Sequence, residues 1–160
     1  MNEKRMIRYW MKTDVVSAEL GTTIKEAAAK MVGRRVGTLP IVDRDWTLVG
    51  MFSISEIIDV FLPDVVDLLS DIRFVEDFGD LGKLSPDDLE RAEKMTVNDI
   101  MQKPIAVEET SSLIRSLSIM HQQDLRDLLI VKDGKLVGIA SEVDIGRAFL
   151  AGWFLSPCEE

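Results

Sequence analysis

Apolar positions fall into the same order twice along this chain. LPIV (39–42) and LLIV (128–131) are continuous apolar runs of strand length, and each is followed, after a polar break, by LVGMFS (48–53) or LVGIAS (136–141). Upstream of each pair, Ile24, Ala27, Ala28 and Met31, or Leu113, Leu117 and Met120, recur at helical intervals. Val15 and Val16, and Ile105 to Val107, are short extended stretches that open each series. Each series therefore reads strand, helix, strand, strand, helix. Laid against each other, MKTDVVSAELGTTIKEAAAKM from Met11 matches MQKPIAVEETSSLIRSLSIM from Met101, and the offset runs 90, 89 and 88, each change falling in a loop.

Local signals agree with that reading. Thr22 or Thr23 can cap the first helix, with Glu26 at capping-box distance from Thr23, and Thr110 or Ser111 is the equivalent in the second copy. Asp133-Gly134 is a hairpin signal, and DRDW (43–46) serves the same purpose in the first copy. Ser53 and Ser141 stand where a strand ends and a helix begins, as an N-cap would. Between the copies, Val65, Leu68, Leu69 and Ile72 share one helical face, and Ser85-Pro86 is a cap followed by proline at the first helical position. The segment between the copies is expected to be helical and docked.

Composition narrows the function. A chain of 160 residues with 46% hydrophobic content can bury roughly 70% of its unfolded surface without staples. The single cysteine, Cys158, excludes a disulfide framework or a cysteine-based metal site within one chain and suits a reducing, cytoplasmic setting. MNEKRMIRYWMK has no apolar core of a secretory signal, and no run is long enough to span a bilayer, so no membrane insertion is expected. A net charge of −9 argues against nucleic acid, whose binding draws on Lys and Arg neutralising phosphates. Residues 63–92 alone carry nine acids against three bases, either a solvated face or a divalent-cation site. No glycine-rich phosphate loop, nucleophile motif or base other than His121 is present, and His121 has no second ligand at metal spacing. An enzyme is not expected.

The duplicated unit, with LPIVD, LVG and a closing G-x-x-S-x-x-D or E, resembles a pair of CBS domains, the modules named after cystathionine β-synthase. The resemblance covers about residues 7–61 and 95–151, with 62–94 as an acidic helical linker and 152–160 as a tail. It implies an α/β (α+β) fold of two tandem β-α-β-β-α motifs, packed sheet to sheet about a pseudo-two-fold axis with a cleft on either side. Such pairs bind adenine-containing ligands (AMP, ADP, ATP or S-adenosylmethionine), sense energy state or regulate an enzyme or transporter, and often form homodimers through their helices. No cofactor is required; Mg²⁺ is the ion a nucleotide could bring.

Residue by residue, the resemblance and the local chemistry converge on the second copy. Gly138 would let a ring or sugar approach the backbone beside Ile139. Ser141 offers a hydroxyl next to helix-start N–H groups that suit a phosphate. Asp144, one turn on, can accept from both ribose hydroxyls. Ile105 and Ala106 would contribute backbone and apolar surface, and Arg126 a cation for phosphate, opposed by Asp127. In the first copy Gly50 and Ser53 are kept, but Glu56 replaces the aspartate, which makes that cleft degenerate or differently occupied. Arg34 and Arg35 are either phosphate partners or cations serving a helix end. Two alternatives stay open: a ligand-free dimerisation module, and a divalent-cation sensor using the acidic linker. The C-terminal FLAGWFLSP, with Leu150, Trp153 and Phe154, closes over the core or marks a partner surface.

Overall fold

The structure, a computed structural model, describes residues 5–61 and 85–155. The expected helix over Val65, Leu68, Leu69 and Ile72, and the side chains of Trp153 and Phe154, lie outside the described residues. In chain order the elements are β1 (Ala18–Glu19), α1 (Ile24–Arg34), β2 (Thr38–Val42), β3 (Leu48–Ser53), α2 (Ile54–Phe61), α3 (Pro86–Lys94) and α4 (Val97–Ile100), then β4 (Ala106–Glu108), α5 (Leu113–Gln122), β5 (Asp127–Lys132), β6 (Lys135–Ser141) and α6 (Glu142–Leu155). The sheets are three-stranded, β1-β2-β3 and β4-β5-β6, so each copy carries the expected strand, helix, strand, strand, helix series.

The local devices explain most boundaries. Thr23 and Glu26 form the capping box read from the sequence: the Glu26 amide donates to the Thr23 hydroxyl at 3.2 Å and the Thr23 amide to Glu26 Oε2 at 3.1 Å. Ser85 caps α3, accepting from the Asp88 amide at 3.1 Å, with Pro86 at its first position. Asp133 and Gly134 both take positive φ, 52° and 78°, as a tight hairpin between right-twisted strands requires. In the first copy Asp43 Oδ1 accepts from the Asp45 and Thr47 amides, each at 2.9 Å, which closes the DRDW turn. Two expectations shift. The cap of α5 is Ser112 rather than Thr110 or Ser111, its hydroxyl accepting from the Arg115 amide at 3.2 Å. The first strand lies at Ala18–Glu19 rather than at Val15 and Val16; strand formation follows pairing partners more than β-branching.

By contacts the chain divides into two compact units that do not coincide with the repeats. One holds Met1–Val15, Val42–Val49 and Pro104–Glu160. In it β4 runs parallel to β5 (Ala106 opposite Leu129) and β5 antiparallel to β6 (Ile130 opposite Gly138). The N-terminal segment is built into this unit. The Ile7 amide donates to the Ser111 carbonyl at 2.9 Å, and Ile7 is fully buried with Leu128, Ile130, Ala140 and Ile145. Lys12 and Ile139 exchange both backbone hydrogen bonds, at 2.8 and 3.0 Å.

The other unit holds Val16–Ile41 and Gly50–Lys103. Its core is Ile24, Ala27, Met31, Leu39, Ile41, Phe52 and Val97. Here residues 95–103 play the part that residues 6–12 play in the first unit. The Ile24 amide donates to the Met95 carbonyl at 2.9 Å, the Val97 amide to Thr22 at 2.8 Å, and Met51 and Gln102 exchange backbone bonds at 3.0 and 2.8 Å.

Both exchanges run over a glycine. A Cβ on Gly138 would clash with the Met11 sulfur and lie 2.9 Å from Met11 Cγ and 3.1 Å from the Lys12 carbonyl. A Cβ on Gly50 would meet Met101 in the same way, with Cγ at 3.1 Å and Cβ at 3.3 Å. These glycines thus repeat because a methionine-bearing segment lies on each strand. Gly138→Ala should cost about 1–3 kcal/mol from overpacking, measured by urea unfolding, with part of the loss recovered in the Gly138→Ala/Met11→Ala double variant. Gly146→Ala, in α6 with open space around it, should instead stabilise by about 0.5–1 kcal/mol. Equal effects at the two sites would refute the packing account.

Candidate functional site

The G-x-x-S-x-x-acid phrase closes on itself in both copies. At the start of α6 the Ser141 amide and hydroxyl both donate to Asp144 Oδ2, at 2.9 and 2.8 Å, and the Asp144 amide donates back to Ser141 Oγ at 3.3 Å. This is a capping box with aspartate in the acidic place. At the start of α2 the Ser53 amide donates to Glu56 Oε2 at 2.6 Å and the Ser53 hydroxyl donates to the same oxygen. The longer Glu56 side chain is thus accommodated by folding back onto its own cap.

The helix start at α6 is less open than the sequence suggested. A serine hydroxyl has one proton, and Ser141 spends it on Asp144. The Glu142 amide donates to the Arg126 carbonyl at 3.3 Å, so two of the first three amides of the helix are already committed. Ile139 gives both backbone groups to Lys12, and the space over Gly138 is filled by Met11 and Lys12.

Sequence reasoning missed Lys12. Its ammonium lies 3.3 Å from Asp144 Oδ2, with the lysine side chain 64% exposed and the aspartate 9%. Asp144 is one of two buried polar residues among the described residues, the other being Ser116. Burial pushes the Asp144 carboxyl up, but the Ser141 amide and hydroxyl and the Lys12 ammonium outweigh it and hold the group below the usual carboxylate range. Lys12 could have been found only by knowing that Met11 and Lys12 lie on β6, a long-range contact with no local signature.

Ala106 begins β4, and Ile105 packs on the core beside Val107. Arg126 is exposed immediately before β5, with Asp127 opposite Ser141 in the sheet. Thus Ser141, Asp144, Lys12, Gly138, Ile139 and the backbone of Arg126 meet at one end of β6. Gly50, Ser53 and Glu56 lie together along β3 and α2 in the other unit. Arg34 and Arg35 are exposed at the end of α1, where Arg35 is the left-handed C-cap at φ 53°. His121 is exposed and lines a groove with Ile114, Leu117, Asp124 and Glu142. Among the described residues no group of three His, Cys, Asp or Glu is placed to hold a metal, and no helix is long and apolar enough to cross a membrane.

Two three-stranded sheets, each followed by a serine-acid cap at a sheet-to-helix junction, define a duplicated α/β module. The CBS domain pattern matches residues 6–63 and 97–151, and the chain belongs to the CBS domain family as a tandem pair. It is 30% identical over 147 residues to the CBS domain-containing protein CBSX1, chloroplastic, of Arabidopsis thaliana, covering 87% of this chain and 61% of that protein. The chain therefore spans about three-fifths of that relative's length. Among solved structures it resembles CBSX2 in complex with AMP (TM-score 0.67, 24% identity, 92% of this chain and 98% of that one). It also resembles the CBS domain pair of protein MJ0100 in complex with 5′-methylthioadenosine and S-adenosyl-L-methionine (TM-score 0.64, 21% identity, 92% and 97%). At these identities the likeness establishes the fold.

The depressed Asp144 pKa gives stability a sign with pH. The folded value lies below the unfolded reference of about 3.9, so the stabilisation is complete above that reference and is lost as pH falls through the lower folded value. Wild type should be more stable than Asp144→Asn at neutral pH by about 1 kcal/mol, the usual cost of a weakened cap, and the gap should narrow from about pH 5 downward. Urea unfolding across that range checks it; a gap that does not depend on pH would show that the carboxylate charge contributes nothing.

Proposed function

We propose that this chain is a non-catalytic regulatory CBS pair that binds an adenosine-containing ligand at the β6–α6 junction and passes its occupancy to a partner protein. The observation that carries the reading is the nearly buried, ionised Asp144, held at the end of β6 with a cation beside it. An ionised carboxylate accepts on two oxygens, which suits a ribose diol, whereas a capping role alone needs neither burial nor Lys12. Ser141, Ile105, Ala106 and Arg126 complete the site, with Gly138 and Ile139 as the strand on which Met11 and Lys12 lie, and Ser53 and Glu56, beside the Met101-covered Gly50, form a second, weaker one. That CBSX2 has been solved with AMP, and MJ0100 with two adenosyl compounds, supports the ligand class. CBS pairs are in general regulatory rather than catalytic, and the regulated enzyme or transporter, a homodimeric state and a cytoplasmic setting belong to this proposal. A ligand changes the module only by its difference in affinity between two states.

The ligand-free interaction module is favoured by one observation: Ser141 and Asp144 already satisfy each other. Thermal unfolding with AMP, ADP, ATP, S-adenosylmethionine and Mg²⁺ or Ca²⁺ alone separates the readings. An adenosyl compound at about a hundred times its Kd should add about 2.7 kcal/mol of stability, and the gain should vanish in Asp144→Ala. No shift with any adenosyl compound would leave the interaction module, and a shift with Ca²⁺ alone would point to the acidic segment.

A further inference from the structure

The repeat contains its own control. Lys12 and Gln102 occupy matching places in the two copies, each exchanging both backbone hydrogen bonds with the residue after the sheet glycine, Ile139 or Met51. At the first place an ammonium lies 3.3 Å from a nearly buried carboxylate, Asp144. At the second, the residue paired with the strand that leads to Glu56 is a neutral amide. The phrase is thus written twice, but the cation only once.

The Lys12 backbone is fixed on β6, while its side chain is 64% exposed. A four-carbon stem with three donors at its tip can turn between Asp144 and a group lying just outside it. The helix start offers little competition, because the Glu142 amide is given to Arg126 and the Asp144 amide to Ser141. Resting on the adenosyl reading above, we propose that Lys12 makes the Asp144 site select a phosphorylated adenosine over an uncharged or cationic adenosyl ligand. Ribose hydroxyls donating to Asp144 take the place of the ammonium on the carboxylate, and Lys12 turns to the phosphate. The carboxylate thereby never loses its hydrogen-bond donors, and the phosphate gains a charge-assisted bond. A sulfonium in the same position would face Lys12 with like charge. The Gly50, Ser53 and Glu56 site, with Gln102 in the matching place, lacks the preference.

Calorimetric titration of wild type, Lys12→Gln and Lys12→Arg with AMP and with adenosine tests this. Lys12→Gln reproduces the other copy. Wild type is expected to bind AMP about tenfold or more tighter than adenosine, in keeping with a charge-assisted contact. Lys12→Gln should lower the ratio severalfold, leaving only what Arg126 supplies, and Lys12→Arg should keep most of the preference. In wild type the AMP preference should also weaken as salt rises, while adenosine binding does not; this readout holds even if Lys12→Gln fails to fold. An unchanged AMP-to-adenosine ratio in folded Lys12→Gln, or equal affinities in wild type, would overturn the role of Lys12 while leaving the adenosyl reading intact. Binding of neither compound by wild type would overturn both.

Discussion

Each unit is organised by the close approach of a backbone segment to a strand at a glycine. Gly138 and Gly50 carry no side chain because Met11 with Lys12, and Met101, lie directly against them. That approach lets one residue on each segment exchange two backbone hydrogen bonds with β6 or β3, brings Ile7 and Val97 into the cores, and fixes where Lys12 can reach. A methyl group at Gly138 would press on backbone and thioether at once, and one at Gly50 on the Met101 side chain, in an interior that packs as densely as a crystal. The polar chemistry at the β6–α6 junction is therefore downstream of a steric condition.

At that junction one carboxylate does two things. Asp144 closes the first turn of α6 through Ser141 and neutralises Lys12, and both tasks fall on Oδ2. Its near burial makes each contact matter more than it would at the surface, since an unpaired buried charge is costly. Glu56 makes the same contacts to its serine with no ion pair among the described residues, which separates the cap from the ion pair. The cap is common to both copies; the ion pair is not.

The secondary structure was largely legible because its determinants are local. Thr23 with Glu26, Ser85 with Pro86, and Asp133 with Gly134 each place a boundary through residues within a few positions of one another. The repeat was legible because a duplicated apolar pattern survives single deletions in loops. What stayed hidden was long-range. Three consecutive hydroxyls, Thr110 to Ser112, offer equivalent caps until the backbone decides among them. Gly138 reads as an opening for a ligand until Met11 is found over it. Lys12 was aligned with Gln102 in the sequence, yet nothing nearby said that it would meet Asp144, 132 residues away.

The segments that cover the two glycines are exchanged between the repeats. Residues 6–12 complete the unit built on the second repeat, and residues 95–103 complete the unit built on the first. A single repeat cut at its sequence boundaries would keep its own leading segment but lack the one that seals its strand, leaving Gly50 or Gly138 uncovered and a core residue such as Val97 or Ile7 missing. Half of this chain is therefore not a self-sufficient folding unit.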